Sequence, residues 1–155
     1  MPDSASLWRQ ARDTEDHVEW FESDTGQMVP RLRIRGTGRA VGMQFDPDLS
    51  VVWKDHLTGH SLHEADLTSR NSSRGPLIFQ ANAGDIRNLR AEGKRFYVVY
   101  TPTDDDPFGC SHVSVLELFK KSRDTDAARN ALRTDLQKLM KLVWGDCTVP
   151  VPDGA

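Results

Sequence analysis

The stretch that most constrains the fold runs from Ser50 to Pro102, because it holds the strongest strand pattern and most of the residues suited to chemistry. Its pattern predicts, in order, a strand, a two-residue turn, a strand, a loop, a strand, a short helix and a strand. Phe96 to Tyr100, with the sequence FYVVY, is the clearest strand in the chain. We expect it to lie in the centre of a sheet.

Period-two alternation predicts a β-hairpin at the start of this stretch. Its strands run from Val51 to Leu57 and from His60 to Leu67, joined across the dipeptide Thr58-Gly59. A two-residue turn fixes the register and therefore the residues that share a face of the ribbon. On one face this register places Asp55, Glu64 and Asp66. Carboxylates gathered in this way suit a divalent cation, although an exposed ribbon with solvated acidic positions shows the same pattern.

The remaining pattern predicts one α/β domain, with a single mixed sheet flanked by helices. An N-terminal helix is predicted from Ser6 to Ser23, a short middle helix from Asn82 to Gly93, and a long amphipathic helix from Asp124 to Trp144. The apolar stripe of the last helix consists of Leu132, Leu136, Leu139 and Val143. Further strands are predicted at Val29 to Arg35, Val41 to Phe45, Leu77 to Gln80 and His112 to Phe119.

Length and charge narrow the classes of function only slightly. With 155 residues the chain suits one domain, which we place at residues 1–148, followed by a flexible tail at 149–155. The net charge of −3 makes general electrostatic binding of nucleic acid improbable, so such binding requires a local basic face. Two cysteines without CxxC spacing favour a reducing compartment. No apolar run reaches about 18 residues, so we expect a cytoplasmic protein without membrane contact.

Arginines provide the candidate basic face. Arg31, Arg33 and Arg35 alternate along one predicted strand, and Arg70 and Arg74 lie in the polar loop after the hairpin. Together they are candidates for contacts with nucleic-acid phosphates. An ordinary solvent-facing strand would show the same alternation.

Three histidines, at positions 56, 60 and 63, have a spacing that would suit zinc if they lay on one helix. Gly59 and the β-branched residues before it argue against that helix. In the predicted hairpin His60 points away from His56 and His63, so we expect surface histidines.

The central stretch resembles the core of PD-(D/E)xK nucleases, and most closely the small domain at the C-terminus of the plant NO VEIN protein and its bacterial relatives. The segment His63-Glu64-Ala65-Asp66 occupies the place of that family's Glu-x-Lys motif. Leu77 to Gln80 matches its next strand, Asn82 to Gly93 its helix and Phe96 to Tyr100 its last strand. The resemblance covers about a third of the chain.

The resemblance implies a nuclease-like domain that binds nucleic acid. It is either a nuclease that uses Mg²⁺ or Mn²⁺ or a relative that has lost catalysis. Catalysis would use Asp55, Glu64 and Asp66, with Asp55 and Glu64 as metal ligands. Two departures stand out, since Asp66 replaces the family's lysine and the upstream aspartate could be Asp46, Asp48 or Asp55. Lys54, Arg70 or Arg74 are the cations that could replace the lysine.

Two other classes of function remain open. The segments from Val51 to Asp55 and from Glu64 to Leu67 are also similar to a strand pair of SH3-like barrels, which would make the first half a non-enzymatic binding module. Alternatively, the protein is a subunit that contacts a protein partner through Trp8, Trp20 and Trp144. The strand, helix and strand between Leu77 and Tyr100 favour the nuclease-like sheet over the barrel.

Overall fold

The regular elements described in the first third of the chain are strands. The computed structural model describes residues 1–35, 43–44, 48–104, 108–118 and 123–151. The first strands are β1 (Ser6–Ala11), β2 (Val18–Glu22), β3 (Met28–Leu32), β4 (Ile34–Arg35), β5 (Met43–Gln44) and β6 (Asp48–Trp53).

The rest of the described fold contains both helices and strands. The elements are α1 (Lys54–Gly59), α2 (Glu64–Arg70), β7 (Leu77–Asn82), α3 (Ala83–Arg87), β8 (Tyr97–Tyr100), β9 (His112–Leu116), α4 (Arg123–Leu139) and β10 (Lys141–Trp144). Short 3₁₀ helices lie at Ser72–Arg74 and Gly109–Ser111. Within the described ranges, no helix is both long enough and apolar enough to cross a membrane.

One large sheet organises the molecule. Among the described residues it has eight strands in the order β2-β3-β10-β7-β1-β6-β9-β8, and every neighbouring pair is antiparallel. The short strands β4 and β5 form a separate parallel pair. The predicted α/β class with a single main sheet is therefore confirmed, although this sheet is antiparallel among its described strands and not mixed.

The central strands bury side chains on both faces of this sheet. Leu7 on β1 and Phe79 on β7 belong to a core that includes residues of α3 and α4. Trp8 and Ile78, their immediate neighbours in sequence, belong to a second core with Leu57 of α1 and Leu67 of α2. The sheet is thus covered by helices on both sides, which is why β1 and β7 lack simple apolar-polar alternation.

The predicted N-terminal helix is wrong. Residues 6–22 form the strands β1 and β2, with a turn in which the amides of His17 and Val18 donate to the carbonyl of Thr14. The spacing of Leu7 and Ala11 misled the prediction, because residues four apart share a face in a strand as well as in a helix.

The predicted hairpin is also wrong. The chain leaves β6 after Trp53 and enters α1 and α2 in place of two paired strands. Gly59 ends α1, and His63 and Asp66 form a capping box at the start of α2. Burial of Leu57 and Leu67 beneath Trp8 outweighs their strand-like alternation. The SH3-like strand pair predicted for the same residues is excluded because residues 54–59 and 64–70 are helical.

The C-terminal helix is confirmed but ends earlier than predicted. Leu132 and Leu136 are buried in the core, as expected from the apolar stripe. The helix stops at Leu139, and the next residues form β10, which pairs with both β3 and β7. Val143 lies on this strand and is exposed. The helical spacing therefore continues by coincidence beyond the end of α4.

Other predicted strands are present, with one change of position. The run FYVVY contains β8, but β8 lies at the edge of the sheet and only one of its residues, Val98, is buried. The predictions at 29–35, 77–80 and 112–119 correspond to β3 with β4, β7 and β9, and the middle helix corresponds to α3. The predicted strand Val41 to Phe45 lies largely outside the described residues, as do Asp46 and residues 152–155 of the predicted tail.

Candidate functional site

A pocket of about 290 Å³ opens on the face of the sheet that carries α2. It lies between β1, β6, α2 and the 3₁₀ helix Gly109–Ser111. The basic residues in its walls are Arg9, Arg70 and Arg74, and none of its described lining residues is an aspartate or glutamate. We call it the arginine pocket.

Arg9 lies where the strands β1 and β6 separate. The two strands pair at Leu7 with Trp53 and at Trp8 with Val52. One residue further, the Nη1 atom of Arg9 donates a 2.6 Å hydrogen bond to the carbonyl oxygen of Ser50. Beyond the last paired residues, the side chain of Arg9 thus connects β1 to β6. It also brings a positive charge into the pocket wall.

Arg70 and Arg74 are presented by the end of α2 and the segment that follows it. The Nε2 atom of Gln10 donates to the carbonyls of Asn71, at 2.8 Å, and Gly75, at 2.5 Å, which fixes this segment against β1. Gly75 has a φ of +107°, and a Cβ there would lie 2.1 Å from the carbonyl oxygen of Ala11. A glycine is therefore required for the close approach that positions both arginines.

Apolar and neutral polar groups complete the pocket. Val52, Leu67 and Phe108 provide apolar surface beside the arginines. Further hydrogen-bonding groups are provided by Asn71, Thr103 and His112. The Nδ1 atom of His112 lies 2.9 Å from Oγ1 of Thr101 and 2.8 Å from its carbonyl oxygen. The pocket thus combines positive charge, an apolar wall and polar groups that can orient a ligand.

His17, close in sequence to β1, lies near the charges of Arg9 and Arg12. Burial is the main cause that lowers its pKa, and the charges of Arg12 and Arg9 lower it further against an opposing effect of Asp16. Arg12 also donates from Nε to the carbonyl of Ser73, 3.1 Å away, in the segment that carries Arg74. Arg9 and Arg12 thus bring two positive charges to the end of β1, where Asp13, Glu15 and Asp16 follow in the sequence.

The structure separates the predicted phosphate-binding arginines. Arg31 donates to the carbonyl of Lys138 in the last turn of α4, and Arg33 lies 3.7 Å from the carboxylate of Glu19 on β2. These contacts connect strands and helix, so Arg31 and Arg33 serve the fold in the described structure. The side chain of Arg35 lies outside the described residues. Of the predicted set, Arg70 and Arg74 are the two that line the arginine pocket.

The predicted catalytic carboxylates lie at the first turns of two different helices. Asp55 is exposed on α1, while Glu64 and Asp66 are in the first turn of α2. The Oδ2 atom of Asp66 accepts a 2.8 Å hydrogen bond from the amide of His63. The hairpin face that was to bring these carboxylates together does not exist. Their assignment as catalytic and metal-binding residues stays a prediction from the resemblance.

The tryptophans predicted to contact a partner differ in exposure. Trp8 is 1% exposed, and its Nε1 atom donates to Gln80, so it belongs to the core and cannot anchor a partner. Trp20 is half-buried and donates to the carbonyl of Val149. Trp144 is exposed on β10. The bond from Trp20 and the burial of Val149 attach the start of the predicted tail to the domain.

The sequence prediction missed Arg9 and the aromatic wall of the pocket. Arg9 lies within the predicted N-terminal helix, where a charged residue needs no special explanation. Phe108 follows an acidic segment that the sequence pattern does not assign to a helix or a strand, so its position in the fold could not be predicted. Arg9 reaches the pocket only because β1 pairs with β6, and local sequence patterns do not show that pairing.

No family model, no curated protein and no solved structure matches this chain. The resemblance to PD-(D/E)xK nucleases therefore stays a prediction. Its second half has the predicted order of elements, since β7, α3 and β8 follow one another. In its first half, the expected hairpin is replaced by the helices α1 and α2.

Proposed function

We propose that the protein binds nucleic acid, with a backbone phosphate held in the arginine pocket. The observation that carries the proposal is the presence of Arg70 and Arg74 in the walls beside Arg9, where no described lining residue is an aspartate or glutamate. Among the described residues, neither Arg70 nor Arg74 forms an ion pair within 4.0 Å. Guanidinium groups are the preferred partners of phosphate, because their planar forks can donate two parallel hydrogen bonds.

The neutral walls favour a nucleotide unit over a bare inorganic anion. Phe108 provides an aromatic surface beside the arginines, and Val52 and Leu67 extend the apolar wall. An aromatic side chain next to a basic groove is the arrangement that binds single strands, because every base has a flat face that can stack. Asn71 and Thr103 provide groups that can bond to the sugar or to a base edge.

The proposal is tested by fluorescence anisotropy with labelled single-stranded and duplex DNA and RNA at about 50 mM salt. The single variants Arg70→Ala and Arg74→Ala should weaken binding, and each should reduce the slope of log K against log salt by about 0.7–0.9. Arg90→Ala is the matched control, because Arg90 is an exposed arginine that bonds to the carbonyls of Arg87 and Leu89. Absence of binding by the wild type, or equal losses in all three variants, would overturn the proposal.

Phosphodiester cleavage is a separate proposal that rests on the resemblance alone. It requires Mg²⁺ or Mn²⁺ at Asp55 and Glu64, with Asp66 as a further ligand or as the residue that orders a water. The test is cleavage of plasmid and single-stranded substrates with Mn²⁺, comparing the wild type with Glu64→Ala. Metal-dependent cleavage that Glu64→Ala abolishes would support a nuclease. A wild type that binds but does not cleave would leave a nucleic-acid-binding protein.

A further inference from the structure

A second cluster of reactive side chains lies beside the arginine pocket, on α1 and the 3₁₀ helix Gly109–Ser111. One donor atom from each of His56, His60 and Cys110 lies within 4.8 Å of the other two. Among the described residues, it is the group of three histidine, cysteine or acidic donors that could hold a metal ion. From this arrangement we propose that His56, His60 and Cys110 bind Zn²⁺ or a related borderline-soft divalent cation.

The helix α1 brings the two histidines together. His56 is in its last turn and His60 is its C-terminal cap, so the two rings lie one turn apart with centroids separated by 4.9 Å. The predicted hairpin placed His56 and His60 on different strands, with His60 pointing away from His56. That prediction is wrong, because α1 continues to Gly59. His63 caps α2 and is not part of the cluster.

The 3₁₀ helix provides the sulfur. It packs against α1, and the hydroxyl of Tyr100 donates to the carbonyl oxygen of Cys110, which ties this segment to β8. Cys110 forms no disulfide in the described structure and is of intermediate exposure. A thiolate combined with two imidazoles is a donor set that suits Zn²⁺ far better than Mg²⁺ or Ca²⁺, which prefer oxygen.

The orientation of His56 supports a role as a metal ligand. Its Nδ1 atom lies 2.9 Å from Oγ of Ser111, and Ser111 is fully buried. When Nδ1 carries the proton and donates to that oxygen, the lone pair of Nε2 is available to a metal, as is usual for zinc-bound histidines. The ring of Trp53 stacks on the imidazole of His56, with centroids 5.5 Å apart, and restricts its rotation.

Only a small movement is needed to close the site. Zinc bonds of about 2.0–2.3 Å in a tetrahedron place the ligand atoms about 3.3–3.8 Å apart. His60 is exposed at the end of α1, so its side chain can move toward the other two donors without disturbing the core. The fourth position would be taken by water.

The site is tested on the untagged, reduced protein with Co²⁺ as a spectroscopic probe. Binding should produce ligand-field bands in the visible range and a thiolate-to-cobalt charge-transfer band in the near ultraviolet, saturating at one metal per chain. Zn²⁺ should displace the cobalt and remove both signals. The absence of a charge-transfer band in the wild type would overturn the proposal.

Variants identify the ligands. Cys110→Ser should abolish the charge-transfer band, and His56→Ala should abolish tight binding. Cys147→Ser and His63→Ala are the matched controls and should bind cobalt as the wild type does. Loss of the band in Cys147→Ser instead would place the metal elsewhere and contradict the assignment.

Ser111 provides a readout that does not depend on removing a ligand. Ser111→Ala should keep the charge-transfer band but weaken metal affinity about 10–100-fold, because the ring of His56 loses the partner that orients it. Circular dichroism of the metal-free variants confirms that each is folded. Unchanged affinity in Ser111→Ala would show that the contact between His56 and Ser111 does not position a metal ligand.

Discussion

The guanidinium of Arg133 on α4 donates two hydrogen bonds to the carboxylate of Glu117, which directly follows β9, and both side chains are buried. The bond from Nε to Oε2 is 2.8 Å long, and a second joins Nη2 to Oε1. Their side chains are 5% and 1% exposed. The pair thus attaches the long helix to the sheet at a position from which water is excluded.

Replacing Arg133 with methionine should strongly destabilise the protein. The change leaves the carboxylate of Glu117 buried without its partner, for which we expect a loss of about 3–5 kcal/mol in the free energy of unfolding. Chemical denaturation measures the loss. The double variant Arg133→Met with Glu117→Leu should recover most of it, because neither charge then remains buried.

The matched control for this pair is Arg129→Met. Arg129 pairs with Asp126 on the same helix, but the side chain of Asp126 is 51% exposed. Water screens such a pair, so the variant should lose less than about 1 kcal/mol. Equal losses in the two arginine variants would show that burial of the Arg133 pair has no special effect.

Truncation of Leu136 to alanine tests the packing of α4 on the sheet. Leu136 is fully buried in the core shared with Leu7 and Phe79, so we expect a loss of about 2–5 kcal/mol. Leu118→Ala is the control, because Leu118 is 62% exposed and should change stability by no more than about 0.5 kcal/mol. A near-neutral effect of Leu136→Ala on the unfolding midpoint would instead indicate that the helix face serves an interface.

Burial on one face explains why α4 could be predicted, and burial on both faces explains why β1 was not. The apolar stripe of α4 was readable because Leu132 and Leu136 face the core while the opposite side is polar. β1 was misread because Leu7 and Trp8 are both buried, on opposite faces of the sheet. The centre of the sheet could not be located either, since strand order depends on long-range pairing that local patterns do not encode.

The candidate site was predictable in residue type but not in position. Arg70 and Arg74 were identified because they stand close together in a polar loop. Arg9 joins them only through the pairing of β1 with β6 and the anchoring of residues 71–75 by Gln10. Cys110 reaches His56 across more than fifty positions of sequence, so spacing rules for metal ligands had no means to connect them.

Substitution of Asp66 tests whether this residue has a structural or a catalytic role. Its side chain accepts the amide proton of His63 at the start of α2, so Asp66→Ala should cost about 1 kcal/mol of stability. Asp55→Ala, which removes an exposed carboxylate, should be within about 0.5 kcal/mol of the wild type. Thermal unfolding measures both. If Asp66 only caps α2, we expect Asp66→Ala and Asp55→Ala to bind nucleic acid as the wild type does. A loss of Mn²⁺-dependent cleavage in both variants would instead support the predicted catalytic role.

The pH dependence of stability should reveal His17. Its Nδ1 atom accepts a 3.0 Å hydrogen bond from the amide of Arg12, which requires the neutral ring. Burial first, and then the charges of Arg12 and Arg9, lower its pKa from the ordinary value of 6.5. The unfolded chain therefore takes up the proton more readily than the folded one. The contribution of His17 to stability is complete above pH 6.5 and is lost as the pH falls through the lower pKa of the folded state.

Two substitutions of His17 separate the effect of its protonation from the effect of its hydrogen bond with the amide of Arg12. His17→Ala and His17→Gln both remove the titrating group, so in both the decline in unfolding free energy below about pH 6.5 should become shallower than in the wild type. Glutamine retains an acceptor oxygen that can reach the amide of Arg12, and should therefore be the more stable variant above this pH. The measurement is a series of denaturant titrations across this range. A decline as steep in both variants as in the wild type would assign the pH dependence to other groups.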